Sequence, residues 1–521
     1  MGCGKLPNAW SDAADMNAPV NCADYAIVVL PRFAWFRQGK VAVNSASASI
    51  TMTPLGMAAR TVALTSSNPS IKINNSAVSG SVPHLTFGLG KGAVGMQESS
   101  ASAAAAAAAP TVASIRKVIT AARTKEYNSY KSYGNLSDVK EAVQAATMWN
   151  YIYHPAEYGP ILPVSRQWNF VKYAVNLDWG YVIFDWDNIF ASYMTSLDSK
   201  AIAYSNFIQV IRSKTAKGFV PNYSAGGTKS IDRTEPPIGA KVMLEMYSKY
   251  KDLWLVDLLF DDLMAWNDWF VEERMFGPLG IVSLGSDTIS GYKDAAAGVM
   301  QGARYESGLD NSPMYDGEFF KTNLKVDGAY SIGQMQMYDV GFASMFVQEA
   351  ESLATLAGIL GRTADVTKMK ARAAQQRALI QKNLWDDKGG IYTNKFWNGT
   401  FYRRISPTSF YSMLAGAATD DQATQMVNNW LHSPEHFCIA KDGDFKGNKD
   451  TCYWGLPSIE ASDPAFPPLG YWRGYVWGPM AQLTYWSLAN KNYAKNEAVN
   501  SGRKALTKQV KNTYGSLLRI P

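Results

Sequence analysis

The chain has 521 residues, 47% of them hydrophobic and 18% charged, with a formal net charge of +6. That is long enough for two domains with a sizeable core, and the apolar fraction excludes disorder throughout. Lysines and arginines are scattered, which excludes the electrostatic footprint of a nucleic-acid binder, and no apolar run approaches the roughly 20 residues that span a bilayer.

The opening Met1-Gly2-Cys3-Gly4-Lys5-Leu6 has neither the apolar stretch of a signal peptide nor the hydroxyl residue of a myristoylation site. It fits a cytosolic protein or one whose true N-terminus is missing. Residues 20–90 read as short strands. Tyr25 to Leu30, Lys40 to Val43 and Ser49 to Thr53 are β-branched runs separated by Gly, Pro, Asn and Ser, which predicts a β-sandwich-like domain over 1–90. Residues 91–112 are rich in Gly, Ser and Ala, with seven alanines from Ala103 to Ala109 and no large side chain to bury, which predicts a linker.

From 113 onward helical periodicity dominates. Ile202, Phe207, Ile208 and Ile211 form one stripe, and Leu353, Leu356 and Leu360 another. Thr419-Asp420-Asp421-Gln422 is a capping box that opens a further helix. Short connections alternate with long aromatic ones, which predicts helical hairpins arranged in a ring with the long loops on one face. Helical repeats that bind a protein partner are the alternative architecture.

Cys3, Cys22, Cys438 and Cys452 show no metal-ligand spacing, and no metal or organic cofactor is signalled. Cys438 and Cys452 fit a disulfide or two free thiols equally well. Asn74, Asn135, Asn222 and Asn398 head Asn-x-Ser/Thr sequons compatible with a secretory route.

Five loops combine aromatics with acids, Arg and Gly: Phe184 to Asn188, Gly218 to Pro237, Glu306 to Pro313, Arg404 to Phe410 and Tyr471 to Trp477. Each alone is satisfied by ordinary packing, and Glu306-Ser307-Gly308-Leu309-Asp310 fits an acidic helix cap as well as a catalytic acid. In series they point to one lined pocket, and aromatic walls beside carboxyl groups suit sugars, whose C–H faces stack on rings.

The ordered set, most specifically Glu306 to Pro313 and Tyr471 to Trp477, resembles glycoside hydrolase family 63, the α-glucosidases related to processing mannosyl-oligosaccharide glucosidase. It is similar more distantly to the family 37 trehalases. The resemblance spans about residues 160–490. It implies a mostly α protein, an (α/α)6 toroid over 113–521 behind a β-rich domain, with its last helix or helices lacking.

It also implies inverting hydrolysis of a terminal α-glucosidic bond in an oligosaccharide or small glucoside. One carboxylic acid protonates the leaving oxygen and a carboxylate roughly 6.5–9.5 Å away activates water. By motif position Asp310 is the general acid and Glu306 a supporting acid. Gly308 lets backbone approach the sugar. Trp186 offers a stacking face, Asp187, Asn222 and Arg233 bind hydroxyls, and Trp472 and Trp477 close the opposite wall. Glu235 stands where relatives often carry Gln.

Relatives take the general base from a Glu beyond the Tyr-Trp-Arg-Gly motif. Past Trp477 the only acid is Glu497, which reads as a solvated helix position. The expectation is therefore that the base is absent from residues 1–521 and that these residues alone turn over little substrate. A carbohydrate-binding relative without catalysis is the alternative. The compartment is open, with the secretory pathway favoured over the cytoplasm, and oligomeric state is not specified.

Overall fold

The computed structural model describes residues 40–44, 49–53, 58–66, 73–77, 83–87, 94–100, 112–154, 159–165, 181–225, 228–442, 455–466 and 470–517. Contacts divide the chain into two compact units, residues 1–141 with 151–161 and 200–209, and residues 142–150 with 162–199 and 210–521.

In the first unit β1 (Lys40–Asn44), β2 (Ser49–Thr53), β3 (Arg60–Ser66), β4 (Ile73–Ala77), β5 (Pro83–Phe87) and β6 (Val94–Ser100) form two antiparallel sheets, ordered β1-β2-β3-β6 and β4-β5. β1 and β2 fall where the β-branched runs put them. The strand expected at 25–30 lies outside the described residues. β6 corrects the linker reading: Val94 to Ser100 pairs along the whole of β3, Val62 opposite Glu98. The ladder's backbone bonds hold a sequence whose side chains promise little burial. The alanine run lies outside the described residues. Next in chain order come α1 (Val112–Lys131), α2 (Ser137–Trp149) and the short pair β7 (Ile152–His154) and β8 (Gly159–Ile161).

The second unit is mostly helical. A small sheet of β9 (Ile183–Phe184), β10 (Tyr223–Ala225) and β11 (Thr228–Lys229) leads into α3 (Asp185–Thr195); the next helix in the chain, α4 (Lys200–Arg212), belongs to the first unit over residues 200–209. Then come α5 (Gly239–Tyr250), α6 (Leu253–Glu273), the short α7 (Met300–Glu306), α8 (Val340–Ile359), α9 (Thr363–Asn383), α10 (Tyr411–Leu414), α11 (Asp420–Met426), α12 (Gly478–Leu488) and α13 (Glu497–Leu517).

Burial separates inner from outer helices. α8 buries residues all round its circumference, Val340, Phe342, Phe346, Val347, Leu353 and Leu356 among them, as a helix surrounded by others must. α9 buries only Met369, Ala373, Gln376 and Ile380, a single stripe, and shows the rest to solvent. Contacts run from α3 to α5, α8, α10 and α12. They return to α3 through Trp486, whose ring lies 6.1 Å from Phe190 and 5.5 Å from Tyr193.

The helix starts show how the ring is pinned. The capping box at α11 forms as its sequence predicts, with both reciprocal bonds present. α5 has no local cap. Instead Glu349, buried on α8, accepts from Ala240 N at 2.6 Å and Lys241 N at 3.2 Å, placing a carboxylate at the positive end of α5. Cys438 is disulfide-bonded, and its partner, like Cys452, lies outside the described residues. Among the described residues no helix is long and apolar enough to cross a membrane, and no group of three or more His, Cys, Asp and Glu could hold a metal ion.

Candidate active site

The acid loop begins where α7 stops. Ser307 ties it to the helix by donating to Arg304 O and accepting from Leu309 N. Gly308 then takes φ 69°, a left-handed conformation, and a Cβ there would stand 2.7 Å from the Trp186 indole. Glycine is thus required twice, by backbone angle and by the ring lying on it. The far end of the loop is fixed by Tyr315, which donates to Asp339, the N-cap of α8. Asp310 projects between these two anchors.

Glu306 and Arg274 form the anchor beneath. Arg274, at the end of α6, is fully buried, and its guanidinium reaches Glu306 twice, Asp287, Glu273 O and Asp232 O. Glu306 also accepts from Thr234 N at 3.1 Å and Gly285 N at 2.8 Å. Burial pushes the Glu306 carboxyl up to about 7 while Arg274 holds it down, and since every group facing its oxygens is a donor, the carboxylate is the form that fits. One ion pair therefore joins the acid loop to the loop that carries Arg233, Thr234 and Glu235.

That second loop meets the start of α3. Asp185 accepts from Thr234 Oγ1 and Glu235 N, and Glu235 accepts from Trp186 N at 3.1 Å and Asn222 Nδ2 at 2.7 Å. Both Glu235 oxygens therefore face donors, which a glutamine, with one acceptor and one donor, does not reproduce. Burial holds the Asp185 and Glu235 carboxyls well above the usual range. Arg233 donates to Asn222, Asp232 and Asp294. Burial opposes its charge, but Asp232 and Asp294 outweigh that cost and hold it cationic.

The segment from Tyr471 closes the site through three successive residues. Tyr471 Oη donates to Asp310 Oδ2 at 3.2 Å, Trp472 N donates to Asn311 Oδ1 at 2.9 Å, and the Arg473 guanidinium pairs with Asp316. Trp472 stacks on Trp477 at 4.1 Å and lies 6.0 Å from Trp186. A cavity of about 330 Å³ remains, lined by Gln301, Arg304, Tyr305, Asp310, Tyr471 and Arg473 among others.

Burial raises the Asp310 carboxyl to about 6, against the opposing pull of Tyr471 and Arg233. Burial and then the charge of Asp310 raise Asp187 to about 7. Asp310 thus lines the cavity with its carboxyl raised toward neutrality, and Asp187, which does not line it, is raised by burial and by the Asp310 charge.

All ten residues singled out in the sequence therefore sit in one neighbourhood, in different layers. Asp187, Asp310 and Trp477 are half-buried, whereas Trp186 and Trp472 are each 3% exposed and Asn222, Arg233, Glu235 and Glu306 are buried. Gly308 accommodates Trp186. The Arg404 loop is tied to Asp463 and approaches Asp316. Sequence reasoning passed over Arg274, Asp185, Asp232, Asp294, Asn311, Asp316 and Tyr471. Tyr471 and Asn311 lay inside the motifs themselves, and Asp316 only six residues past Asp310. Arg274, in Glu272-Glu273-Arg274, carries no local signal.

Residues 180–517 match the family described as the mannosylglycerate hydrolase MGH1-like glycoside hydrolase domain. Among curated relatives, mannosylglycerate hydrolase MGH1 of Selaginella moellendorffii is 24% identical over 292 residues, 47% of this chain and 52% of that protein. Glucosylglycerate hydrolase of Mycolicibacterium hassiacum is 24% identical over 265 residues, 46% of this chain and 57% of that protein. The chain thus spans about half the length of the curated relatives it matches. The solved GH63 mannosylglycerate hydrolase from Thermus thermophilus in complex with Tris aligns with a TM-score of 0.47 and 17% identity, covering 64% of this chain and 84% of that one.

Proposed function

We propose that this chain, which belongs to the mannosylglycerate hydrolase MGH1-like glycoside hydrolase family, hydrolyses the bond between a terminal hexose and a compact polar aglycone. Kinship with family 63, anticipated from the motifs, holds at that level. The observation that carries the reading is Asp310, a carboxyl raised to about 6, fixed from both sides of its loop and set in the wall of a 330 Å³ cavity. That volume lies at the low end of small-molecule sites, about 300–1,000 Å³, and supports a small glycoside over a long oligosaccharide.

The relatives' names make glycerate glycosides of mannose and glucose the first compounds to test. An α-glucoside such as trehalose is the runner-up. The cycle of contacts through five helices, α3, α5, α8, α10 and α12, supports an α/α toroid and leaves the sixth hairpin of an (α/α)6 ring as a proposal.

In the proposed reaction Asp310 protonates the leaving oxygen while water attacks the opposite face with inversion. Among the described residues, the carboxyls that feel Asp310 are Asp187 and Glu235, and both Glu235 oxygens are already engaged. Water activation falls to Asp187 or to a group outside the described residues. This favours, as a second reading, a carbohydrate binder with little turnover.

Incubating the protein with mannosylglycerate, glucosylglycerate and trehalose, and following binding by calorimetry and the released anomer by NMR, separates the readings. The inverted anomer supports hydrolysis, binding without product supports the second reading, and neither binding nor product removes both.

The proposed secretory location is supported by the Cys438 disulfide and by exposed Asn398, whereas Asn222 is too buried to accept a glycan. A glycan mapped to Asn398 tests it.

A further inference from the structure

We propose that Tyr471 is a positioning residue for proton transfer at Asp310, its hydroxyl donating to Oδ2 so that Oδ1 is reserved for the transferable proton. The inference rests on the reading of Asp310 as the acid.

Tyr471 is one of four non-glycine residues with positive φ among the described residues, at 51°, in a turn closed by Arg473 N donating to Gly470 O at 2.8 Å. Left-handed backbone at a tyrosine is unfavourable and persists only where its surroundings enforce it. The surroundings do so. Trp472 N is bound by Asn311, Arg473 by Asp316, Gly474 N by Ser458 Oγ, and the Tyr471 carbonyl by Trp477 Nε1. Its ring is held 5.3 Å from Trp477, edge-on. With backbone and ring both constrained, the hydroxyl is left on Asp310 Oδ2, 3.2 Å away.

The chemical consequence follows from donor and acceptor roles. Since Tyr471 donates, Oδ2 accepts, and the carboxyl proton resides on Oδ1. In the reaction the Oδ1–H bond breaks as an O–H bond forms on the leaving oxygen. The C–O pair of the glycosidic bond departs with that oxygen, and Tyr471 keeps its own proton. The hydrogen bond stabilises the carboxylate left behind. Tyr471 is 45% exposed, and its partial burial with the Asp310 charge holds the phenol above its ordinary value, so it acts as donor and not as acid.

Other groups face Asp310. Arg233 favours the carboxylate, Asp187 on α3 and Glu235 oppose it, and Tyr305 on α7, Arg304, Arg473 and its partner Asp316 also line the wall. None of these is altered by removing one phenol oxygen, so Tyr471→Phe isolates the contact.

The test is a ¹³C NMR titration of the aspartate carboxyl carbons in the full chain, with Asp310 identified by the signal lost in Asp310→Asn. Losing a bond to the charged form raises the Asp310 midpoint, by roughly half a unit or more in Tyr471→Phe. The basic limb of any pH–rate profile rises in parallel. An unmoved or lowered midpoint overturns the proposal, even if the rate falls. Tyr471→Leu removes the same hydroxyl should the phenylalanine variant not fold. The titration needs no substrate, so a chain that hydrolyses nothing still reports on Tyr471.

Discussion

The indole of Trp186 rests directly on Gly308, occupying the place where any other residue would put its Cβ. This contact joins the first turn of α3 to the acid loop, and it explains why Trp186, a stacking face in the family resemblance, is buried.

Gly308→Ala therefore meets both a backbone and a packing penalty, together roughly 2–4 kcal/mol. Urea denaturation should show that loss, and Trp186 fluorescence should shift as the ring is displaced. A variant as stable as the parent contradicts the packing described.

Arg274→Met leaves Glu306 buried among donors with its principal counter-charge gone. The expected cost is about 3–5 kcal/mol. Arg274→Lys should recover little, because an ammonium does not supply the five-donor fork that this site fills completely. Denaturation midpoints of the two variants check this.

Glu349 makes a separate prediction. Truncation to alanine strands two helix N–H groups of α5, at a cost of about 1–3 kcal/mol. Its pH signature is also defined. Burial raises the folded carboxyl to about 7, while an unfolded glutamate titrates near about 4.3. The folded state thus holds the proton more tightly, so this group's contribution is full below about pH 4 and is lost as pH rises to about 7. Glu349→Gln should flatten that part of the stability–pH curve, and an unchanged slope between those limits argues against it.

Much of the helical half was legible because its signals are local. The Thr419–Gln422 box and the stripes that became α4 and α8 depend on residues within a few turns. The acid loop was legible because Glu306, Gly308 and Asp310 lie within five positions, and Gly308 has the φ only glycine adopts freely. What escaped depends on distant partners. β6 is a strand because β3 pairs with it, α5 begins where it does because Glu349 comes from α8, and Arg274 looks like any charged helix end until Glu306 and Asp287 surround it. Trp186 is buried and not an open face because its cover, Gly308, lies far along the chain.

The central claim is that Asp310 delivers the proton that releases the aglycone. The most direct measurement is the rate of product formation from glucosylglycerate, mannosylglycerate and trehalose by wild-type protein and by Asp310→Asn, with binding measured alongside. The account predicts that at least one glycoside binds both proteins alike and that wild type releases product about 10²–10⁴ times faster. Equal rates from the two proteins, or no binding and no product from either, would contradict it.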